Sequence, residues 1–194
     1  ARSSLLPLLR SQLLGELLAW ISLHPEDSFS VTDLTRRLGV SQSTISREAD
    51  RLVEAGLVRE TRRGNLRLLQ FDSGNMLARP LTELLTLTYG PAAVLSDLLP
   101  RVDGVVEAYI YGSWAARYAG EGGPPPRDVD VLVVGDADDD ELADVATTAE
   151  RLLGREVNMH RISAAAWHAA TGDPFLTSVR DRPRFPIMEA ASRS

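Results

Sequence analysis

Residues 31–71 read VTDLTRRLGVSQSTISREADRLVEAGLVRETRRGNLRLLQF, and this stretch decides the N-terminal fold. Ser30 and Asp33 just before and within it have the spacing of a capping box, so a short helix is predicted over 32–38. Gly39 suits the left-handed residue that ends such a helix. Ser41 then caps a second helix running to Ala55, and Gly56 stops it. Two helices joined through Gly39-Val40-Ser41 make a helix-turn-helix. Beyond it, 57–63 and 66–71 are strand-like, and Gly64-Asn65 between them forms a hairpin turn, so the hairpin is a wing.

Upstream, Leu6, Leu9, Leu13, Leu14, Leu17, Leu18 and Ile21 recur at helical spacing. They predict one amphipathic helix over 5–23, stopped by His24-Pro25. His24 there reads as a capping or surface histidine. On the second helix of the pair, Ile45, Ala49, Leu52 and Val53 share an inward face, and Gln42, Ser43, Ser46, Arg47 and Asp50 lie away from it. Short polar side chains at a helix N-terminus can approach phosphates and base edges. Gln42 and Arg47, with Thr44 at the edge of the face, are therefore candidates for base contact. Ser41 and Ser43 are candidates for phosphate contact or capping. Arg62, Arg63 and Arg67 are expected to crowd the hairpin tip, where wings commonly meet backbone phosphate. Arg51 is either a phosphate contact or an ion-pair partner of Asp50 or Glu54. From about Leu13 to Phe71 the chain resembles the winged helix-turn-helix of ArsR-type bacterial regulators. The resemblance implies a double-stranded DNA partner. A homodimer is expected from helix 5–23 and a leucine-rich helical stretch over 81–99, because such regulators set two recognition helices a helical turn apart on DNA. A protein-interaction winged helix with a solvated polar face is the other reading of these residues.

The remainder alternates strand and helix: strand 105–111, helix 113–119, a Gly- and Pro-rich loop over 120–126, strand 129–134, helix 140–153, strand 156–162 and helix 164–170. Such alternation predicts an α/β layer architecture. The whole is expected to be α+β in two domains: a winged helix over 1–72, a helical linker over 73–100, and an α/β domain over 101–194.

Tyr111-Gly112-Ser113-Trp114 follows the first of these strands, and Arg127-Asp128-Val129-Asp130 opens the second. Asp128 and Asp130 are two apart on a strand, so both carboxylates point to one face. Together these segments resemble the minimal nucleotidyltransferases of the polymerase-β superfamily, over about 105–162. The resemblance implies that Asp128 and Asp130 hold Mg²⁺ against a nucleoside triphosphate and are the catalytic pair. It also implies that Gly112 and Ser113 bind the triphosphate. Asn158 falls where the family carries a third carboxylate, and its amide oxygen is a candidate metal ligand that brings no charge. Glu156, on the same face, is a candidate substitute. Arg127 ends a loop longer than the family's, either to meet a phosphate or to neutralise Asp128. His160 shares the face of Asn158 and reads as a partly exposed strand histidine. Trp114 reads as a core anchor more than a base-stacking residue. The acidic run 136–141 lacks the glycine and closing glutamate of a calcium loop, and reads as the solvated start of a helix.

The charge of −6 is uneven. Residues 1–72 carry ten arginines against nine acids, and residues 73–194 eleven against eighteen. DNA contact must then come from local arginine placement rather than from net charge. There is no cysteine, which excludes disulfides and thiolate metal sites and fits a cytoplasmic setting. There is no lysine either, which excludes a Walker-type ATPase. No apolar run approaches the ~18 residues of a membrane span, and no signal peptide is expected at the start. The leading expectation is a transcriptional regulator whose C-terminal domain binds nucleotide. The alternative is a Mg²⁺-dependent nucleotidyltransferase acting on a small molecule, protein or RNA, in a toxin–antitoxin module or otherwise, that uses DNA binding for self-regulation.

Overall fold

Ser11 has an extended backbone and its hydroxyl accepts from the Leu14 amide, so it caps helix α1 at Gln12–Leu23. The helix predicted over 5–23 is thus present from Gln12. The computed structural model describes residues 11–169 and 173–189, and the start of that predicted helix lies outside them. The chain divides into two compact units, Ala1–Gly90 and Pro91–Ser194.

In the first unit α1 is followed by β1 (Phe29–Ser30), α2 (Val31–Leu38), α3 (Gln42–Glu54), β2 (Val58–Arg63), β3 (Leu66–Phe71) and α4 (Ala78–Tyr89). The caps are the expected ones. Ser30 and Asp33 form a reciprocal capping box, Gly39 ends α2 at φ +67, and Ser41 accepts from the Thr44 amide at 3.3 Å. The hairpin β2–β3 pairs in register from Val58–Phe71 to Arg63–Leu66, and β1 adds to β3 as a short third strand. One core collects Leu17, Leu18 and Ile21 from α1, Leu34 from α2, Ile45, Ala49 and Leu52 from α3, Leu69 and Phe71 from β3, and Ala78 and Leu85 from α4. Each fully buried leucine or isoleucine is worth roughly 1.5–3 kcal/mol, so α4 is held by its packing. The span 73–100, expected as a linker, is shared between the units: α4 lies in the first, and α5 (Pro91–Leu98) opens the second. Gly90-Pro91 interrupts the stretch as expected.

The second unit continues with a short 3₁₀ turn at Leu99–Arg101, β4 (Val105–Tyr111), α6 (Gly112–Tyr118), β5 (Asp128–Gly135), α7 (Asp139–Leu153), β6 (Glu156–Ile162), α8 (Ala164–His168), α9 (Pro174–Asp181) and β7 (Phe185–Met188). The sheet is mixed, in the order β6-β5-β4-β7. β5 and β6 are parallel, as a crossover through α7 requires. β4 lies antiparallel to both β5 and β7. Val129, Val131, Leu132, Val133 and Val134 are wholly buried, which explains the uninterrupted apolar run: a central strand covered on both faces needs no polar alternation. Asp138 caps α7, and Asp139, Asp140 and Glu141 occupy its first turn, where the helix dipole favours acids. The acidic run is thus the solvated helix start expected of it. α9 and β7 have no counterpart in the predicted elements. Among the described residues, no helix is long and apolar enough to cross a membrane.

Candidate nucleic-acid interface and carboxylate site

The first turn of α3 is the polar surface of the N-terminal unit. Ser41, Gln42, Ser43 and Arg47 are exposed, and Thr44 and Ser46 are half-buried. The hydroxyls knit together: Ser41 Oγ lies 2.9 Å from Ser43 Oγ and 2.8 Å from Thr44 Oγ1. Ser41 is therefore a cap first. Gln42 donates through Nε2 to Thr32 Oγ1 at 3.2 Å, which steadies its side chain across α2 and α3. The inward face is as expected at Ile45, Ala49 and Leu52, with one addition. Glu48 is buried, takes two 3.0 Å contacts from Arg51 Nη1, and lies 3.8 Å from Arg47 Nε. Arg51 thus pairs with Glu48, not with the expected Asp50 or Glu54. The i,i+3 spacing of Glu48 and Arg51 was the available signal for this pair.

At the wing, Arg62 and Arg63 are exposed, Arg62 standing 3.5 Å from Glu60. Arg67 departs from expectation. Its side chain is only 20% exposed, and Nη2 sits 2.6 Å from Asp50 on α3 and 2.9 Å from Glu60 on β2. Two carboxylates occupy the guanidinium, so Arg67 ties the wing to α3 and does not crowd the tip. Arg62 and Arg63 are the exposed arginines of the wing.

In the second unit, parallel pairing sets Asp128 beside Glu156 and Asp130 beside Asn158, and antiparallel pairing sets Tyr111 beside Asp130. Asn158 donates from Nδ2 to Asp130 Oδ1 at 3.3 Å. Gly112 has φ +68, and a Cβ there would lie 2.7 Å from Asp130 Oδ2. The glycine is thus what lets the Asp130 carboxylate sit against the turn into α6. Burial pushes the Asp130 carboxyl above its ordinary range; the Asn158 hydrogen bond partly offsets this, and the Asp128 charge adds a smaller push. Burial is thus the larger cause, and like-charge repulsion from Asp128 the lesser one. Burial, followed by the Asp130 charge, likewise raises the Tyr111 phenol. Ser113 is exposed on the first turn of α6.

Glu156 does not complete a three-carboxylate group with Asp128 and Asp130. Among the described residues, no three His, Asp or Glu side chains are placed to hold a metal ion. Arg127 is exposed and makes no ion pair with Asp128. Trp114 is buried, a core residue. His160 is exposed and packs 4.6 Å from the Phe175 ring. His168 lies 3.5 Å from the buried Glu107. Glu107 also accepts from Tyr109 at 2.7 Å and Trp167 at 3.0 Å. Burial and the Glu107 bond push the Tyr109 phenol up to about 12.

Residues 16–66 match the family model of the MarR family. This segment is a MarR-family winged helix-turn-helix DNA-binding domain. The match lies within the first unit. Solved structures similar to the chain include reduced HlyU from Vibrio cholerae, 23% identical over 43% of this chain and 82% of that one, with a TM-score of 0.35. MepR, a transcription regulator of the Staphylococcus aureus multidrug efflux pump MepA, is 17% identical over 40% and 56%, at 0.35. The transcriptional regulator BldR from Sulfolobus solfataricus is 25% identical over 51% and 68%, at 0.36. The chain thus spans little more than half the length of MepR, and likenesses of this extent carry no argument about function. No curated protein matches the chain. In the MarR-family domain, sequence reasoning found the polar face of α3 and the two wing-tip arginines. It missed the buried Glu48 and the brace through Arg67.

Proposed function

We propose that the protein is a transcriptional regulator that reads double-stranded DNA through α3 and the wing, and that its second unit binds a nucleoside triphosphate with Mg²⁺ as a signal. The observation that carries the DNA reading is the exposed first turn of α3 standing in one domain with the exposed guanidinium groups of Arg62 and Arg63 at the wing. Recognition helices expose short polar residues at their N-terminus, and wings meet the backbone. The finer likeness to ArsR-type regulators belongs to the same proposal.

The nucleotide reading is supported by the meeting of Asp128, Asp130, Asn158 and Gly112 on neighbouring strands and the turn into α6. These residues fit one Mg²⁺ shared with a triphosphate, because Mg²⁺ is held by one or two carboxylates plus substrate phosphates. Asp128 and Asp130 would hold the ion, with the amide oxygen of Asn158 as the remaining donor. The ion would neutralise phosphate charge there. Gly112 leaves room at the turn, and Ser113 offers its hydroxyl and the first amides of α6. Asn158 supplies a neutral donor to Asp130 where an anionic third ligand would stand, which favours binding over nucleotidyl transfer. Thermal melting of the full chain tests this reading. Ligand at a hundred times its Kd stabilises the unit that binds it by about 2.7 kcal/mol. Wild type should melt higher with Mg²⁺ and a nucleoside triphosphate, and Asp130→Asn should fold but lose most of that gain. If no nucleotide moves the wild-type transition, the second unit is no nucleotide sensor.

The DNA reading also implies a homodimer. α1 spends Leu17, Leu18 and Ile21 on the core of its own unit. Among the described residues, an exposed apolar row follows α4: Leu77 at its N-cap, then Leu84 and Leu87, at intervals of seven and three residues, the spacing of one helix stripe. A second copy of the chain packing on that stripe would pair the recognition helices. Sedimentation at tens of micromolar should give a dimer for wild type and a monomer for Leu84→Glu combined with Leu87→Glu. A monomeric wild type, with and without DNA, removes the dimer from the proposal.

A further inference from the structure

Three aromatic rings form a chain that begins next to Asp130. Tyr111 on β4 is the cross-strand neighbour of Asp130. His160 on β6 pairs with Leu132 and lies two residues beyond Asn158, on the same strand face. Phe175 on α9 touches both: its ring centroid is 5.7 Å from that of Tyr111, edge to face, and 4.6 Å from that of His160. Tyr111 and His160 sit on the two strands flanking β5, so Phe175 spans β5 next to the Asp130 position. The three rings make a wall that starts at Tyr111, opposite Asp130, and runs to His160, one residue pair further along the sheet. Its inner part packs on Leu132, Leu176 and Val179, which fixes the wall in place. The His160 imidazole is exposed at its outer edge, and Phe175 is half-buried.

The faces of aromatic rings hold neither phosphate nor Mg²⁺, a hard cation that takes oxygen ligands, so the wall is left for another part of the ligand. We propose that the Tyr111–Phe175–His160 wall is the platform on which the base of a purine nucleotide stacks, with the exposed His160 ring as the contact face. The proposal rests on the nucleotide reading above and adds that the ligand is held by its base as well as by its phosphates. A purine offers the larger π-face, and stacking on an aromatic side chain is lost when the ring is removed. The span from Asp130 to His160 is that of a neighbouring strand and one residue pair along it, roughly 5–8 Å, within reach of a nucleotide whose phosphates lie at the carboxylates.

Calorimetric titration of the full chain in Mg²⁺ tests this, with ATP and with inorganic tripolyphosphate as the base-free probe. Wild type should bind ATP at least tenfold more tightly than tripolyphosphate. His160→Ala should weaken ATP by about tenfold and leave tripolyphosphate unchanged. His160→Phe, which restores a π-face without a ring nitrogen, should recover ATP binding. Wild type binding the two probes equally, or His160→Phe failing as His160→Ala does, overturns the stacking platform and leaves the phosphate and metal reading standing. Wild type binding neither probe removes the nucleotide reading itself, and the platform with it.

Discussion

Arg67→Met is expected to weaken DNA binding about tenfold with little change in its salt dependence, whereas replacing Arg62 and Arg63 together with alanine should lower affinity and flatten the salt slope. The contrast follows from what each guanidinium touches. A phosphate contact releases counterions and contributes roughly 0.9 to the slope of log K against log salt, so loss of both wing-tip residues should reduce the slope by about two. The loss should be similar for specific and random duplexes, because phosphate contacts carry no sequence information. Gln42→Ala should instead narrow the gap between the two duplexes. Arg67 contacts Asp50 and Glu60, not the tip. Its removal leaves two carboxylates facing each other between α3 and the wing, and frees the wing to move relative to the helix that reads bases. An ion pair this exposed at Asp50 is worth at most about 1 kcal/mol to stability, so the variant should still fold. Adding Asp50→Asn and Glu60→Gln to Arg67→Met should restore part of the affinity, since the carboxylates no longer repel each other or the DNA. If Arg67→Met flattens the slope by a full unit and the neutral pair gives no rescue, Arg67 is a phosphate contact and not a brace.

These outcomes turn on pairs that a linear reading finds only in part. Caps are local: Ser30 with Asp33, Ser41, and Gly39 each act within one helical turn, so their residue types and spacing announce them. The apolar run of β5 is equally plain, because a strand buried on both faces has a composition of its own. Arg67 and Asp50 are 17 residues apart and meet only once the hairpin folds back on α3, so a basic hairpin reads as three equivalent arginines. β7 shows the same limit. It pairs with β4 some eighty residues upstream, and Pro186 within it argues against a strand except at a sheet edge, where it lies. Strand alternation put Asp128 and Asp130 on one face, whereas Asn158 was placed with them only by the resemblance to the minimal nucleotidyltransferases, and the parallel register sets it beside Asp130. The aromatic neighbour Phe175 was not legible, because α9 reaches the site through tertiary packing.

Gly112→Ala should have the largest effect on the carboxylate site. Two separate costs act at this position. The backbone is left-handed at φ +68, which costs a non-glycine residue about 1–2 kcal/mol. The added methyl would also lie 2.7 Å from Asp130 Oδ2, so either the turn or the carboxylate must move. Gly120 separates the two: its φ is +93, yet a Cβ there meets nothing within 4 Å. Gly120→Ala should therefore carry backbone strain alone. For a unit of about a hundred residues, 1 kcal/mol corresponds to roughly 4–8 °C in Tm, so both variants should melt several degrees below wild type. Only Gly112→Ala should also lose the rise in Tm given by Mg²⁺ with a nucleoside triphosphate. DNA binding should survive in both, because the winged helix folds around a core of its own. If Gly112→Ala keeps the full nucleotide-dependent rise, the Asp130 carboxylate is not where phosphate and metal are held. If Gly120→Ala loses the rise as well, the effect belongs to general strain in the unit and not to the displaced carboxylate.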